Sequence, residues 1–403
     1  MTGKPRRIQG VKSIVRKMFL SAAMTAVLLG GVLASASAAP PASQPNSGPA
    51  GGSKALENPG AAEPARDASR LPKNAPAGSK ESAAASGRDA DPSPGGTGEP
   101  GEKPKLSFPV ISDIHIQSWH TESHMKFTQA LQDLNAVNPA SDALVINGDL
   151  TNGMPADYAK LQELIGQQPH PRSVFYTIGN HEFYKAWFDA DGYWNPATFP
   201  NGETEEASIA RFLDLTGQKN KVYYDQMVKG YHFIFLGSEQ YRQSDPANLE
   251  DAYLSSEQLD WLKKTLRKGA SSDKPIFVFL HQPLPYTVAG THFCCVNNRA
   301  VVQHEELKAI LSEYPQVVFF SGHSHWELKL SGTLVQEKFT MVNTSSVVQP
   351  WTDNGSGGEM LTAPEESEGL YVEVYKDRVT IKGRDFYRHR WIPEADFTIP
   401  MER

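Results

Sequence analysis

Only two cysteines occur in the 403 residues, adjacent at Cys294 and Cys295, too few for a structural zinc site of four or three thiolates. Adjacent Cα atoms lie about 3.8 Å apart, less than the roughly 4.4–6.8 Å of a relaxed disulfide. Two free thiols are therefore the expectation, although an oxidising compartment would leave a bridge open. A general basic field is also missing: 39 Lys and Arg stand against 46 Asp and Glu, for a net charge of −7. That balance carries no nucleic-acid-binding signal and does not draw the chain to an anionic membrane, so any attraction for an anion has to be local. There is no Gly-x-Ser-x-Gly elbow, Walker loop or dinucleotide fingerprint, and no internal repeat. The apolar stretch from Met18 to Leu33 is interrupted by Ser21, Thr25, Gly30 and Gly31, and falls short of the roughly 20 residues that a membrane span needs.

What that stretch does have is context. Lys4, Arg6, Arg7, Lys12, Arg16 and Lys17 precede it and Ala36-Ser37-Ala38 follows it. This order predicts a secretory signal peptide over residues 1–38, removed near Ala38, and a secreted or envelope-associated protein with no membrane span after cleavage. Arg6-Arg7 is a weak hint of twin-arginine export. From residue 39 to 105 the chain is mostly Ala, Pro, Gly and Ser with few large apolar residues, which predicts a disordered linker.

The foldable part is expected over residues 106–395. Short runs rich in Val, Ile and Phe alternate with helical patterns, which argues for an α/β domain. Phe108 to Ser112 leads into Asp113, Ala143 to Gly148 into Asp149, Val174 to Gly179 into Asn180, Ile276 to Leu280 into His281, and Val317 to Gly322 into His323. Ligands gather beyond the carboxyl ends of strands in open α/β sheets, so a potential metal donor at each of these ends points to one site. Met125 to Val137 and Ala156 to Ile165 read as helices. Ser255 or Ser256 caps another, which carries Leu259, Leu262 and Leu266 and stops at Gly269. Phe183 to Lys221 reads as a long irregular loop, either shaping access to the site or simply packed on the surface. Phe339 to Ser345, Leu370 to Tyr375 and Val379 to Phe386 read as strands, the last two joined at Lys376-Asp377-Arg378, completing a second sheet.

The candidate donors are Asp113, His115, Asp149, Asn180, His281, His323 and His325, all oxygen or imidazole, a set that suits Mn, Fe or Zn. Asp113 and His115, two apart on an extended chain, face one way and can grip one ion. His323 and His325 share that spacing, and a turn there could send them to different ions. The set is too large for one tetrahedral site and matches two divalent ions roughly 3.5–4 Å apart sharing a carboxylate. Two such ions held by two carboxylates leave local positive charge for a phosphate, and they lower the pKa of bound water towards about 7, giving a hydroxide nucleophile.

The series Asp113-Ile-His115, Gly148-Asp149, Gly179-Asn180-His181-Glu182, His281 and Gly322-His323-Ser324-His325 resembles the calcineurin-like metallophosphoesterase superfamily from about Phe108 to Phe386. The resemblance implies a four-layer sandwich of two central mixed β-sheets flanked by helices. It implies that Asp113, His115 and His325 hold one ion, that Asn180, His281 and His323 hold the second, and that Asp149 bridges. It gives His181 the phosphate and the leaving oxygen, and Glu182 an orienting part, where a solvated carboxylate is the plainer reading. Leu150-Thr151-Asn152-Gly153 departs from the Asp-Arg-Gly of protein Ser/Thr phosphatases, and Asn152 stands where purple acid phosphatases carry a metal-binding Tyr. The pattern is most similar to the cyclic-nucleotide phosphodiesterase branch. Tyr286, His292, Phe293 and Arg299 follow His281 on a loop expected to face the metals, with Arg299 as a candidate phosphate clamp; His120, His124 and His292 are read as surface or hydrogen-bonded residues. The expected activity is an exported metal-dependent phosphoric ester hydrolase, diesters slightly favoured, with a phosphate-scavenging monoesterase or a non-catalytic envelope-binding module as alternatives.

Overall fold

The computed structural model describes residues 102–401 apart from 271–273 and 297. The expected signal peptide and nearly all of the expected linker lie outside the described residues. In chain order the first elements are β1 (Leu106–Ile111), α1 (Thr121–Val137), β2 (Leu144–Asn147), α2 (Pro155–Gln167), β3 (Val174–Thr177), α3 (Glu205–Thr216), β4 (Tyr224–Val228), β5 (Tyr231–Phe235) and α4 (Ser256–Gly269). They are followed by β6 (Ile276–Phe279), α5 (His304–Ser312), β7 (Val317–Ser321), β8 (Leu334–Gln336), β9 (Thr340–Asn343), β10 (Trp351–Asp353), β11 (Glu359–Leu361), β12 (Glu368–Val374), β13 (Arg378–Asp385) and β14 (Arg390–Pro400).

One six-stranded sheet runs β14-β13-β12-β1-β2-β3 and the other β4-β5-β6-β7-β9-β8, with β10-β11 as a separate hairpin. Both are mixed: β1, β2 and β3 are parallel while β12 meets β1 antiparallel, and β5, β6, β7 and β9 are parallel while β4 and β8 close the edges antiparallel.

Strand periodicity explains the layers. In β6, Phe277 and Phe279 point between the sheets, whereas Ile276 and Val278 point to the helices; in β7, Val318 and Phe320 alternate in the same way with Val317 and Phe319. Phe108 of β1 lies 4.8 Å from Phe233 and 4.9 Å from Phe277, ring centre to ring centre, so aromatic packing joins the two sheets. Phe127 and Leu131 of α1, Leu161 of α2 and Phe212 of α3 cover the outer face of the first sheet. Leu259, Leu262 and Leu266 of α4 and Leu307 and Leu311 of α5 cover the second. Burying each such side chain contributes roughly 1.5–3 kcal/mol, and the result is the expected four-layer sandwich.

Several expectations need correction. The stretch after Phe183 is not wholly irregular: Thr204 accepts from the Ala207 amide, Gly217 ends the turn at φ 68°, and α3 lies between them with Phe212 buried. α1 begins at Thr121 rather than Met125, with no side-chain cap to mark its start. Of the three C-terminal strands expected to complete the second sheet, only the first does so. β9 pairs with β7, whereas β12 and β13 extend the sheet of β1. The β4-β5 hairpin, which begins the other sheet, was not anticipated. Arg378 belongs to β13 rather than to the turn, and β14 continues beyond residue 395 to Pro400.

Candidate metal centre

The parallel ladders leave β1, β2, β3, β6 and β7 ending at one edge of the sandwich. Pairing of Val110 with Val145 and Ile111 with Ile146 keeps β1 and β2 level. The backbone bonds Asp113 N–H to Gly148 O at 3.2 Å and His115 N–H to Asp149 O at 3.0 Å carry that register into the loops. There the backbone turns sharply. Asp113, His115, Asp149, His323 and His325 all have positive φ, between 39° and 65°, a conformation that costs a non-glycine residue roughly 1–3 kcal/mol and gathers at functional sites. Two glycines permit the crowding. A Cβ on Gly179 would lie 2.2 Å from Asp149 Oδ1, and one on Gly322 would lie 2.0 Å from Ser112 Oγ and 2.6 Å from Asp113 Oδ2.

The donors converge in two groups. Side-chain donor atoms of Asp113, His115, Asp149 and His325 lie within 4.8 Å of one another, as do those of Asp149, His281 and His323. Asp149 belongs to both. His325 Nε2 stands 2.9 Å from Asp113 Oδ1, and His281 Nε2 stands 3.1 Å from Asp149 Oδ2 and 3.7 Å from Asp113 Oδ1. Asn180 is buried beside them, and the amide of the next residue donates to Asp149 Oδ1 at 3.0 Å.

These residues fit divalent ions by a direct test. Asp113 Oδ1, Asn180 Oδ1, His281 Nε2 and both ring nitrogens of His323 are buried polar atoms without a properly directed hydrogen bond. Buried polar atoms are almost always partnered, so a cluster of orphans on the expected donor atoms is what a pair of cations would satisfy. The charges agree. Burial pushes Asp113 up, but His325 and His281 outweigh it and hold the carboxyl at about 2. Burial together with His181 lowers His115 to about 3, and burial together with His281 takes His323 well below the usual imidazole range. Burial also works against charge on His281, yet Asp149 and Asp113 raise it to about 9. The ring orientations are held from behind. The Asn147 carbonyl lies 2.8 Å from His281 Nδ1 and the Gln349 carbonyl 2.9 Å from His325 Nδ1, turning each Nε2 to the site.

Glu182 is no solvated carboxylate. It is fully buried and accepts from the amides of Leu150 and Thr151 at 2.9 Å and of Gly179 at 2.7 Å, tying the loops after β2 and β3 together. Burial and the neighbouring Asp149 raise it to about 8. His181 brings Nδ1 to 2.8 Å from Asn152 Oδ1 and Nε2 to 3.7 Å from Asp149 Oδ2, and it stacks on Tyr184 with centroids 3.8 Å apart. Burial lowers its pKa to about 4.

Arg299 lowers the pKa of His323, and its Nη1 is paired with Glu359 Oε1 at 3.2 Å. On the same loop Phe293 stacks on Trp326, and Cys294 and Cys295 are joined to each other, contrary to the expected free thiols. His124 is hydrogen-bonded to the Gln117 carbonyl at 2.6 Å, and His292 is exposed with its ring edge-on to Tyr286. Sequence reasoning missed the Asn147 carbonyl behind His281, Asn152 behind His181, and Glu250, whose carboxylate accepts from Asn180 Nδ2 at 3.0 Å. The motif position of Asn152 was a usable signal; nothing local marked the Asn147 carbonyl or Glu250.

The profile described as calcineurin-like phosphoesterase matches residues 106–327. The chain is similar to the manganese-dependent ADP-ribose/CDP-alcohol diphosphatase of Homo sapiens, 22% identical over 349 residues that cover 73% of this chain and 94% of that protein. It is 23% identical to the protein of the same name from Xenopus laevis over 324 residues, 70% of this chain and 81% of that one. Its fold matches the crystal structure of a dimetal phosphatase from Danio rerio at a TM-score of 0.53 and 16% identity, over 74% of this chain and 100% of that one.

Proposed function

The chain belongs to the calcineurin-like phosphoesterase family and is a metal-dependent hydrolase, and we propose that it is an exported dinuclear enzyme that splits a P–O bond at a phosphorus substituted on both sides. Asp113, His115 and His325 hold one divalent ion, Asn180, His281 and His323 hold the other, and Asp149 is shared. The observation that carries this reading is the membership of Asp149 in both donor groups, beside orphaned donor atoms of both. Two divalent ions bound there, manganese being the metal named for the relatives, supply Lewis acidity to the phosphoryl group and to the attacking water.

The chain's own side chains do the remaining work. With Nδ1 of His181 engaged by Asn152, its Nε2 faces the reacting group and holds or moves the proton of the leaving oxygen. Tyr184, stacked on that imidazole, keeps water off its other face. Glu182 keeps Asp149 and Asn180 at a set spacing by gripping both of their loops.

Substitution on both sides of phosphorus is supported by charge. Arg299 is paired with Glu359, Arg242 with Glu250 and Lys185 with Glu203. A monoester dianion asks for more uncompensated positive charge than a disubstituted, singly charged phosphoryl group. Nucleoside diphosphate conjugates, of the kind in the relatives' names, have only such phosphorus atoms. Export is supported by the basic segment, apolar stretch and Ala36-Ser37-Ala38, and N-terminal sequencing of protein recovered outside the cytoplasm checks it.

After manganese loading, ADP-ribose and a chromogenic diester should be cleaved with kcat/KM at least about tenfold above a chromogenic monoester. Preference for the monoester would favour phosphate scavenging; two bound ions with no hydrolysis of any of the three would favour a binding module.

A further inference from the structure

We infer that Glu250 is a positioning residue for the second ion: its carboxylate decides which end of the Asn180 amide faces the metal. The inference rests on the dinuclear reading above. The two ends of an asparagine amide have nearly the same shape, so local packing alone hardly distinguishes them. In the structure Asn180 Nδ2 donates to Glu250 Oε2 at 3.0 Å and to the Tyr184 hydroxyl at 3.3 Å, which leaves Oδ1 buried and unpartnered. An ionised carboxylate only accepts. A reversed amide would set oxygen against oxygen at Glu250 and aim two N–H groups at a cation, so it is disfavoured at both ends.

Glu250 is itself firmly oriented. Tyr241 donates its hydroxyl to Oε1 at 2.9 Å, Arg242 pairs with Oε1, and Arg242 Nε also donates to the Leu249 carbonyl at 3.1 Å. The Glu250 carbonyl accepts from Gln282 Nε2 at 3.3 Å, and Gln282 directly follows His281. The Tyr184 hydroxyl donates to Oε2 at 3.3 Å, and that ring lies against His181. One carboxylate, 70 residues along the chain from Asn180, therefore sets a donor of the second ion and braces the ring behind His181.

The test is manganese titration of the mature protein, followed by electron paramagnetic resonance to separate a spin-coupled pair from a single ion. Glu250→Gln should bind the second ion about 10–100-fold more weakly, the usual cost of losing an outer partner of a metal ligand, while first-ion affinity and melting temperature stay near the parent's. A charge exchange sharpens it. Asn180→Asp faces one acceptor-only group with another in the parent, so second-ion affinity should suffer about tenfold less from it in the Glu250→Gln background, where the new amide can donate. Wild-type second-ion affinity in Glu250→Gln, equal loss of both ions with loss of fold, or the same effect of Asn180→Asp in both backgrounds would overturn the assignment. A parent protein that binds no coupled pair overturns the dinuclear reading and this inference together; a coupled pair that forms in Glu250→Gln at the same manganese concentration as in the parent overturns only the role of Glu250.

Discussion

The two corners of the proposed metal centre differ in what their donors require from the rest of the chain. The corner of Asp113, His115 and His325 has its own carboxylate, and its imidazoles keep side-chain exposures of 13% and 14%. The corner of Asn180, His281 and His323 has no carboxylate beyond the shared Asp149, and His281 is fully buried. A carboxylate needs only compensating charge, because both its oxygens accept. An amide or imidazole also presents a wrong end, so Asn180 and His281 depend on Glu250 and the Asn147 carbonyl to turn them. The second corner, with only the shared carboxylate, leans on such partners for two of its three other donors, whereas in the first the Gln349 carbonyl turns His325 alone.

The largest expected effect abolishes the comparison. Asp149→Ala removes the residue common to both corners, and elemental analysis should find both ions lost, with turnover down by more than about a thousandfold, since losing even one electrostatic donor costs about 10²–10³. Retention of one tightly held ion would show that the corners fill independently. His181→Ala should lower kcat about a hundredfold or more while keeping two ions per chain, which separates proton handling from metal holding.

Chelation comes next. Removing ions that bind only the folded state costs about 2.7 kcal/mol per ion where they were present at a hundredfold excess over Kd, so the melting temperature should fall by several degrees. Protection from hydrogen exchange should fall more around Asn180 and His281 than around the partly exposed His115, because more orphaned atoms are left there.

The smallest effect concerns Glu368, linked to the first corner through Ser345, whose hydroxyl lies 3.4 Å from the His325 carbonyl. It accepts from the Leu328 amide at 2.8 Å and the Ser345 hydroxyl at 2.9 Å, and burial raises it from 4.5 to about 7. The folded chain thus binds a proton more tightly than the unfolded one. Stability linked to this group is full below about 4.5 and declines as pH rises through about 7. Glu368→Gln should remove that slope and gain on the order of 2–3 kcal/mol at pH 8 relative to pH 5 in urea melts of both chains. Unlike Glu250→Gln, it should leave the affinity for both ions unchanged.

Strand ends were legible because their signal is local: an apolar run of four to six residues followed by a donor needs no knowledge of the partner strand. Asp113, Asp149, Asn180, His281 and His323 were visible for that reason. The α3 helix was hidden by the aromatic, irregular stretch that precedes it, although Thr204 and Gly217 marked both of its ends. The division of β9, β12 and β13 between two sheets was not legible, since similar apolar strands carry no label for their neighbours.

By itself the sequence determined which donor types the site contains, their order, and the α/β class that puts them at strand ends. Tertiary structure decided that Asp149 lies between two donor groups, that Glu182 is buried, that Arg299 pairs with Glu359, and that Asn180 turns its oxygen inward. The reason is physical: donor identity is written residue by residue, whereas the orientation of a neutral ligand is set by whatever charge packing brings behind it from a distant part of the chain.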